Sequence, residues 1–156
     1  MAALSPTNDE LVFRAPMPVY KEAKETKSGG FQTHIDTQEL YRMLSLLKKS
    51  YGDLETRVKV VYERPMINPR RWVATESAIR ADEALRIVLR EHQFARVRVD
   101  SRNWQSVFCP GAKGPDLKKA SRDAAMRLFP AWQTELEKAD DGDAILIAEY
   151  GRRNNL

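Results

Sequence analysis

The chain of 156 residues has one cysteine, Cys109, and two histidines, His34 and His92. One cysteine excludes an intramolecular disulfide, and the absence of a Cys/His cluster excludes an ordinary structural zinc site. No apolar run approaches the roughly 20 residues that a membrane-spanning helix requires. The first ten residues, Met1 to Glu10, lack the basic stretch followed by an apolar stretch of a secretory signal. A soluble chain in a reducing cytoplasmic or nuclear compartment, with no membrane partner, is the expectation. There is no phosphate-cradling P-loop and no GxGxxG, and Gly29-Gly30 reads as loop punctuation.

What is present is a globular composition. Apolar residues make up 42% and charged residues 31%, enough for one domain with a core of its own. Twenty-six basic against 22 acidic residues leave a net charge of +4. That balance is compatible with nucleic acid without requiring it.

Read along the chain, Ala2–Ser5 and Leu11–Ala15 form a candidate hairpin around the turn-rich Pro6-Thr7-Asn8-Asp9. Lys21 to Gly30 reads as a flexible polar loop. Asp36 or Thr37 caps a first helix on which Leu40, Met43, Leu44 and Leu47 recur at helical spacing, with Gly52 as its C-cap. The β-branched run Val58–Glu63 is a strand, Thr75–Glu91 a second helix, and Ala95–Asp100 an alternating strand. A loop at 110–115 leads to a third helix from Asp116 to Leu128, stopped by Pro130, and Asp140–Tyr150 forms a last short helix. The order β-β-α-β-α-β-α-α predicts a mixed α/β sheet with helices on its faces.

Two groups of carboxylates could carry chemistry. Glu63 ends an apolar strand, where active sites of open α/β sheets gather. It could equally pair with its neighbour Arg64. Asp140, Asp141 and Asp143 precede the apolar run Ile145-Leu146-Ile147-Ala148. Positions three apart share a helix face, so Asp140 and Asp143 would project together and Asp141 elsewhere. Two hard oxygen donors on one face suit Mg²⁺ or Mn²⁺, although acids at a helix N-terminus are also favoured by capping and by the macrodipole. Basic residues cluster at Arg64, Arg70 and Arg71, at Lys113, Lys118, Lys119 and Arg122, and at Arg152 and Arg153. Beside carboxylates, such groups suit a phosphodiester substrate. Trp72, next to Arg70 and Arg71, could touch DNA.

The segment from Ala139-Asp140-Asp141-Gly142-Asp143 through Ile145-Leu146-Ile147-Ala148-Glu149-Tyr150-Gly151 resembles the last motif of RuvC-type Holliday junction resolvases, in particular their phage-type branch. Val60-Val61-Tyr62-Glu63 resembles the family's strand ending in its second catalytic acid. Lys118-Lys119-Ala120-Ser121-Arg122 through Leu128-Phe129-Pro130 is similar to the segment before the final acids. The likeness spans nearly the whole chain, as a single domain over residues 1–156. It implies a ribonuclease H-like fold and a homodimer that resolves four-way DNA junctions with two Mg²⁺ ions, for which Mn²⁺ can substitute. It places the protein in the cytoplasm of a bacterial or phage-infected cell. It passes the metal-ligand and catalytic roles to Glu63, Asp140 and Asp143. Lys118 and Lys119 become phosphate contacts, with Lys113, Arg122, Arg70 and Arg71 as further candidates.

The family's opening strand, which runs into Asp-Pro-Gly and supplies the first metal ligand, has no counterpart. Met1-Ala2-Ala3-Leu4 instead resembles the strand that follows it. Asp9 or Asp100 could replace the lost ligand by chemistry alone. The first central strand is therefore expected to be missing, and a non-catalytic junction-binding protein of the same fold, with an incomplete metal site, is the alternative.

Overall fold

The computed structural model describes residues 1–4, 11–23, 30–50 and 58–156. The chain is mixed α/β. Among the described residues the strands are β1 (Ala2–Leu4), β2 (Leu11–Arg14), β3 (Val19–Ala23), β4 (Phe31–Ile35), β5 (Lys59–Glu63) and β6 (Ala95–Val99). The helices are α1 (Thr37–Ser50), α2 (Trp72–Glu91), α3 (Ser101–Phe108), α4 (Asp116–Leu128), α5 (Gln133–Glu137) and α6 (Asp143–Arg153). Instead of one sheet, the described strands form three two-stranded sheets, β1-β2, β3-β4 and β5-β6. Two compact units divide the chain.

The first unit comprises residues 1–16, 60–64 and 96–156. The expected N-terminal hairpin is present, with Ala2 opposite Arg14 and Ala3 opposite Phe13. Helix α6 supplies the centre of the core through Ile145 and Leu146, both fully buried with Trp104 of α3 and Leu136 of α5. One side of α6 packs on α4 and another on β1. Gly151 lets it approach β5, since a Cβ there would stand 2.5 Å from Val61 Cγ2. Helix α3 was not anticipated from the sequence. Its apolar signal is limited to Trp104 and Phe108, four residues apart, but both are buried on the core side.

The second unit comprises residues 17–59 and 65–95. The polar segment expected as a loop instead begins with strand. Lys21–Ala23 complete β3, which pairs antiparallel with β4 from Val19–Ile35 to Ala23–Phe31. All five β3 residues are exposed, so no inside–outside alternation marked the strand. Residues 24–29, the Pro6–Asp9 turn and the expected C-cap Gly52 lie outside the described residues. The expected cap of α1 is confirmed, Asp36 Oδ1 accepting from the Glu39 backbone N–H at 3.0 Å. Helix α2 starts three residues earlier than expected, after a 3₁₀ turn over Pro69–Arg71 capped by Asn68. The buried Thr75 hydroxyl fastens that turn, lying 3.0 Å from both the N–H and the C=O of Asn68. Leu40 and Leu44 of α1 and Val88 and Leu89 of α2 form the buried seam.

Candidate functional site

The site lies in the first unit and starts from Glu63 at the end of β5. Glu63 does not pair with Arg64. Arg64 instead reaches Asp100, Nε to Oδ1 at 3.7 Å, while Glu63 Oε2 accepts a hydrogen bond from Trp104 Nε1 at 3.0 Å. Trp104 itself is completely buried. Partial burial is the main reason the Glu63 carboxyl titrates above its ordinary range; the indole hydrogen bond opposes this, and the Asp143 charge adds to it. Glu63 and Asp143, far apart in sequence, therefore feel each other in the fold.

The acid turn differs from the expected helix. Helix α6 begins at Asp143, with Gly142 as its N-cap, so Asp140 and Asp143 do not share a helical face. The physical cause is the approach of this turn to α4. A Cβ on Gly142 would lie 2.5 Å from the Ser121 carbonyl oxygen and 2.6 Å from Ala125 Cβ. The Gly142 N–H donates to the fully buried Ser121 hydroxyl at 3.2 Å, and that hydroxyl donates to the Lys118 carbonyl at 3.1 Å. Backbone pinned this closely to α4 delays the helix by three residues and leaves Asp140 exposed.

Asp141, expected to point elsewhere, is the acid that acts on Asp143. Its Oδ1 accepts from the Asp143 backbone N–H at 3.4 Å, and its charge helps raise the Asp143 pKa. The main cause of that rise is burial; the Ser121 hydroxyl and the Lys118 ammonium pull the other way. Asp143 Oδ1 is buried without a hydrogen-bond partner. A buried carboxylate oxygen left unpaired is costly, and a second acid nearby adds to the cost.

These donors fit a hard divalent cation. Magnesium is commonly held by one or two carboxylates, completed by water and substrate phosphate. Glu63 and Asp143 are carboxylates of this kind, and Asp143 Oδ1 has no hydrogen-bond partner. Among the described residues no three His, Cys, Asp or Glu side chains come together as a ligand set. Any cation here would have at most these two carboxylates, since Asp140 does not join them in a cluster. Asp100 is engaged with Arg64, and Asp9 lies outside the described residues.

The basic candidates divide between the two units. Lys113, Lys118 and Lys119 lie at and before the start of α4, with Lys118 close enough to Asp143 to lower its pKa. Arg122 has a structural task, donating from Nη1 to the Ala139 carbonyl at 3.2 Å and so bracing the acid turn. Arg70 and Arg71 belong to the second unit, exposed beside Trp72, which is 63% exposed. The residues missed from the sequence are Trp104 and Ser121. Trp104 could have been found as the donor-only side chain of a short i, i+4 apolar pair.

Among the described residues no helix is long and apolar enough to cross a membrane. Compared with known proteins, the chain matches no family model and no curated protein.

Proposed function

We propose that the protein is a metal-dependent endonuclease acting on branched DNA, with four-way junctions as its substrate and a ribonuclease H-like arrangement of the first unit. The observation that carries this reading is the Glu63–Asp143 pair. The charge of Asp143 reaches Glu63 from a distant segment, both acids titrate above their ordinary range, and a buried oxygen of one has no partner. Lys118 beside Asp143 supports a phosphodiester as the substrate, since a lysine can take a phosphate oxygen while the acids take the cation. The sheets β1-β2 and β5-β6 each approach α6, through β1 and through Val61, as the two-sided setting of a buried helix in such a fold requires.

Glu63 and Asp143 would hold Mg²⁺, or Mn²⁺ in its place. The bound ion supplies activation of water and stabilisation of the leaving oxygen. The chain's own part is to hold Glu63 through Trp104 and the turn before Asp143 through Ser121, and to place the phosphate by Lys118, with Lys113 and Lys119 further along the backbone. Asp140 remains the candidate third ligand once DNA and metal are present. Resolving a junction requires two cuts, so the working unit is a homodimer.

A non-catalytic junction-binding protein is the second reading, favoured by the absence of a three-ligand cluster among the described residues. Incubation of four-way junctions and linear duplex with the protein, with and without Mg²⁺, separates the two. The nuclease cuts the junction only with metal, and Glu63→Gln and Asp143→Asn abolish cutting while junction binding persists. Selective binding without cutting by the wild-type chain establishes the second reading. Equal affinity for duplex and junction, or affinity independent of salt, contradicts both. Replacing Lys118 and Lys119 together by alanine lowers the salt slope by about one for each DNA phosphate that these side chains neutralise.

A further inference from the structure

We propose that Trp104 is a positioning residue for Glu63, its indole N–H holding one carboxylate oxygen so that the other is presented to a ligand. This rests on the reading of Glu63 as a metal ligand. Glu63 sits at an exposed strand end, where a glutamate side chain ordinarily samples many rotamers. Its sequence neighbour Arg64 does not restrain it, being turned to Asp100. Trp104 does restrain it, and from within the core. The ring is 0% exposed and packed among Val99, Phe108, Ile145 and Leu146 of the core.

The pairing is obligatory from the tryptophan's side as well. An indole N–H is a donor only, and a buried donor requires an acceptor. Glu63 Oε2 at 3.0 Å is that acceptor. Helix α3 thus couples a fully buried side chain of the core to the acid that ends β5. Partners of this kind orient ligating carboxylates in metal sites, and their removal typically weakens metal affinity or activity by roughly 10–100-fold.

The test uses the full chain and its three tryptophans. In ¹⁵N–¹H spectra the indole signal of Trp104 should be the one slowest to exchange with solvent. It should move on Glu63→Ala and on addition of Mg²⁺ to the wild type, while the exposed Trp72 signal stays in place. Trp104→Phe keeps an aromatic ring and removes the donor. It should raise the Mg²⁺ concentration for half-maximal junction cleavage by roughly 10–100-fold, with metal-free junction affinity and the circular dichroism spectrum unchanged. A Trp104 signal indifferent to Glu63→Ala overturns the proposal, as does Trp104→Phe cleavage with an unaltered Mg²⁺ requirement. If Trp104→Phe does not fold, the Glu63→Ala spectrum decides. If the wild type cuts nothing but its indole signal responds to Glu63→Ala, the nuclease reading falls and the Trp104–Glu63 lock stands.

Discussion

In the unit that carries Glu63 and Asp143, most large apolar side chains are inside; in the unit built on β3, β4, α1 and α2, many of the largest are outside. Trp104, Leu136, Ile145 and Leu146 are fully buried in the first. In the second, Met66, Ile67, Trp72 and Val73 are 63–71% exposed, around the basic turn that holds Arg70 and Arg71. Buried polar groups follow the same division. The first unit holds Glu149, Ser121 and the Trp104 indole in defined hydrogen bonds. The second buries His92 between the rings of Tyr41 and Phe94, with its Nε2 3.1 Å from the Tyr41 carbonyl. The contrast is that of a closed core beneath the acids in one unit and an apolar and basic surface left open in the other.

The largest effect expected from breaking this contrast is at Glu149. It is 3% exposed and takes hydrogen bonds from Arg152 Nε at 2.7 Å and Arg153 Nε at 2.6 Å. Burial alone would push its pKa up, but the two arginines outweigh burial and hold it below the ordinary glutamate range. An acid with a depressed folded pKa stabilises above its unfolded pKa and loses that contribution as pH falls through the folded one. Glu149→Ala should cost about 3 kcal/mol at neutral pH, the low end for a broken buried pair because both arginines reach solvent. The cost should shrink in acid, and denaturant unfolding at several pH values measures both.

A smaller destabilisation is expected at Gly142. Gly142→Ala drives a methyl into the α4 backbone, an overpacking that costs about 1–3 kcal/mol. Because this turn carries Asp143, junction cleavage should fall further than stability at the assay temperature explains. In the second unit, Trp72→Ala should change stability by no more than about 0.5 kcal/mol, as for an ordinary surface position. It should still weaken junction binding, measured by titration at fixed salt. A large fall in stability there would dissolve the distinction between closed core and open surface.

Much of the fold was legible because the sequence pattern and the burial agree. The β-branched run of β5, the spacing of Leu40 and Leu44 on α1, and Asp116 to Leu128 of α4 all stand where periodicity put them. Elements were missed where burial does not write a pattern. Strand β3 is exposed along its whole length, and α3 announces itself by two apolar residues. The acid turn was misjudged for a tertiary reason: local rules let a helix begin at Asp140, and only the packing of Gly142 on Ser121 and Ala125 forbids it. Glu63 and Asp143 were legible as candidates. That the charge of Asp143 reaches Glu63 depends on the close approach of α6 to β5 at Gly151, an approach that spacing cannot reveal.

The most direct test of the Glu63–Asp143 site is the thermal midpoint of the wild type and of Asp143→Asn, each with and without Mg²⁺. An acid with a raised folded pKa contributes stability below its unfolded pKa and loses it as pH rises through the folded value. At neutral pH these two acids therefore cost the metal-free wild type stability. The account predicts that metal-free Asp143→Asn melts above the metal-free wild type, and that Mg²⁺ raises the wild-type midpoint and leaves that of the variant unmoved. A wild-type midpoint indifferent to Mg²⁺, or an equal rise in both proteins, would contradict it.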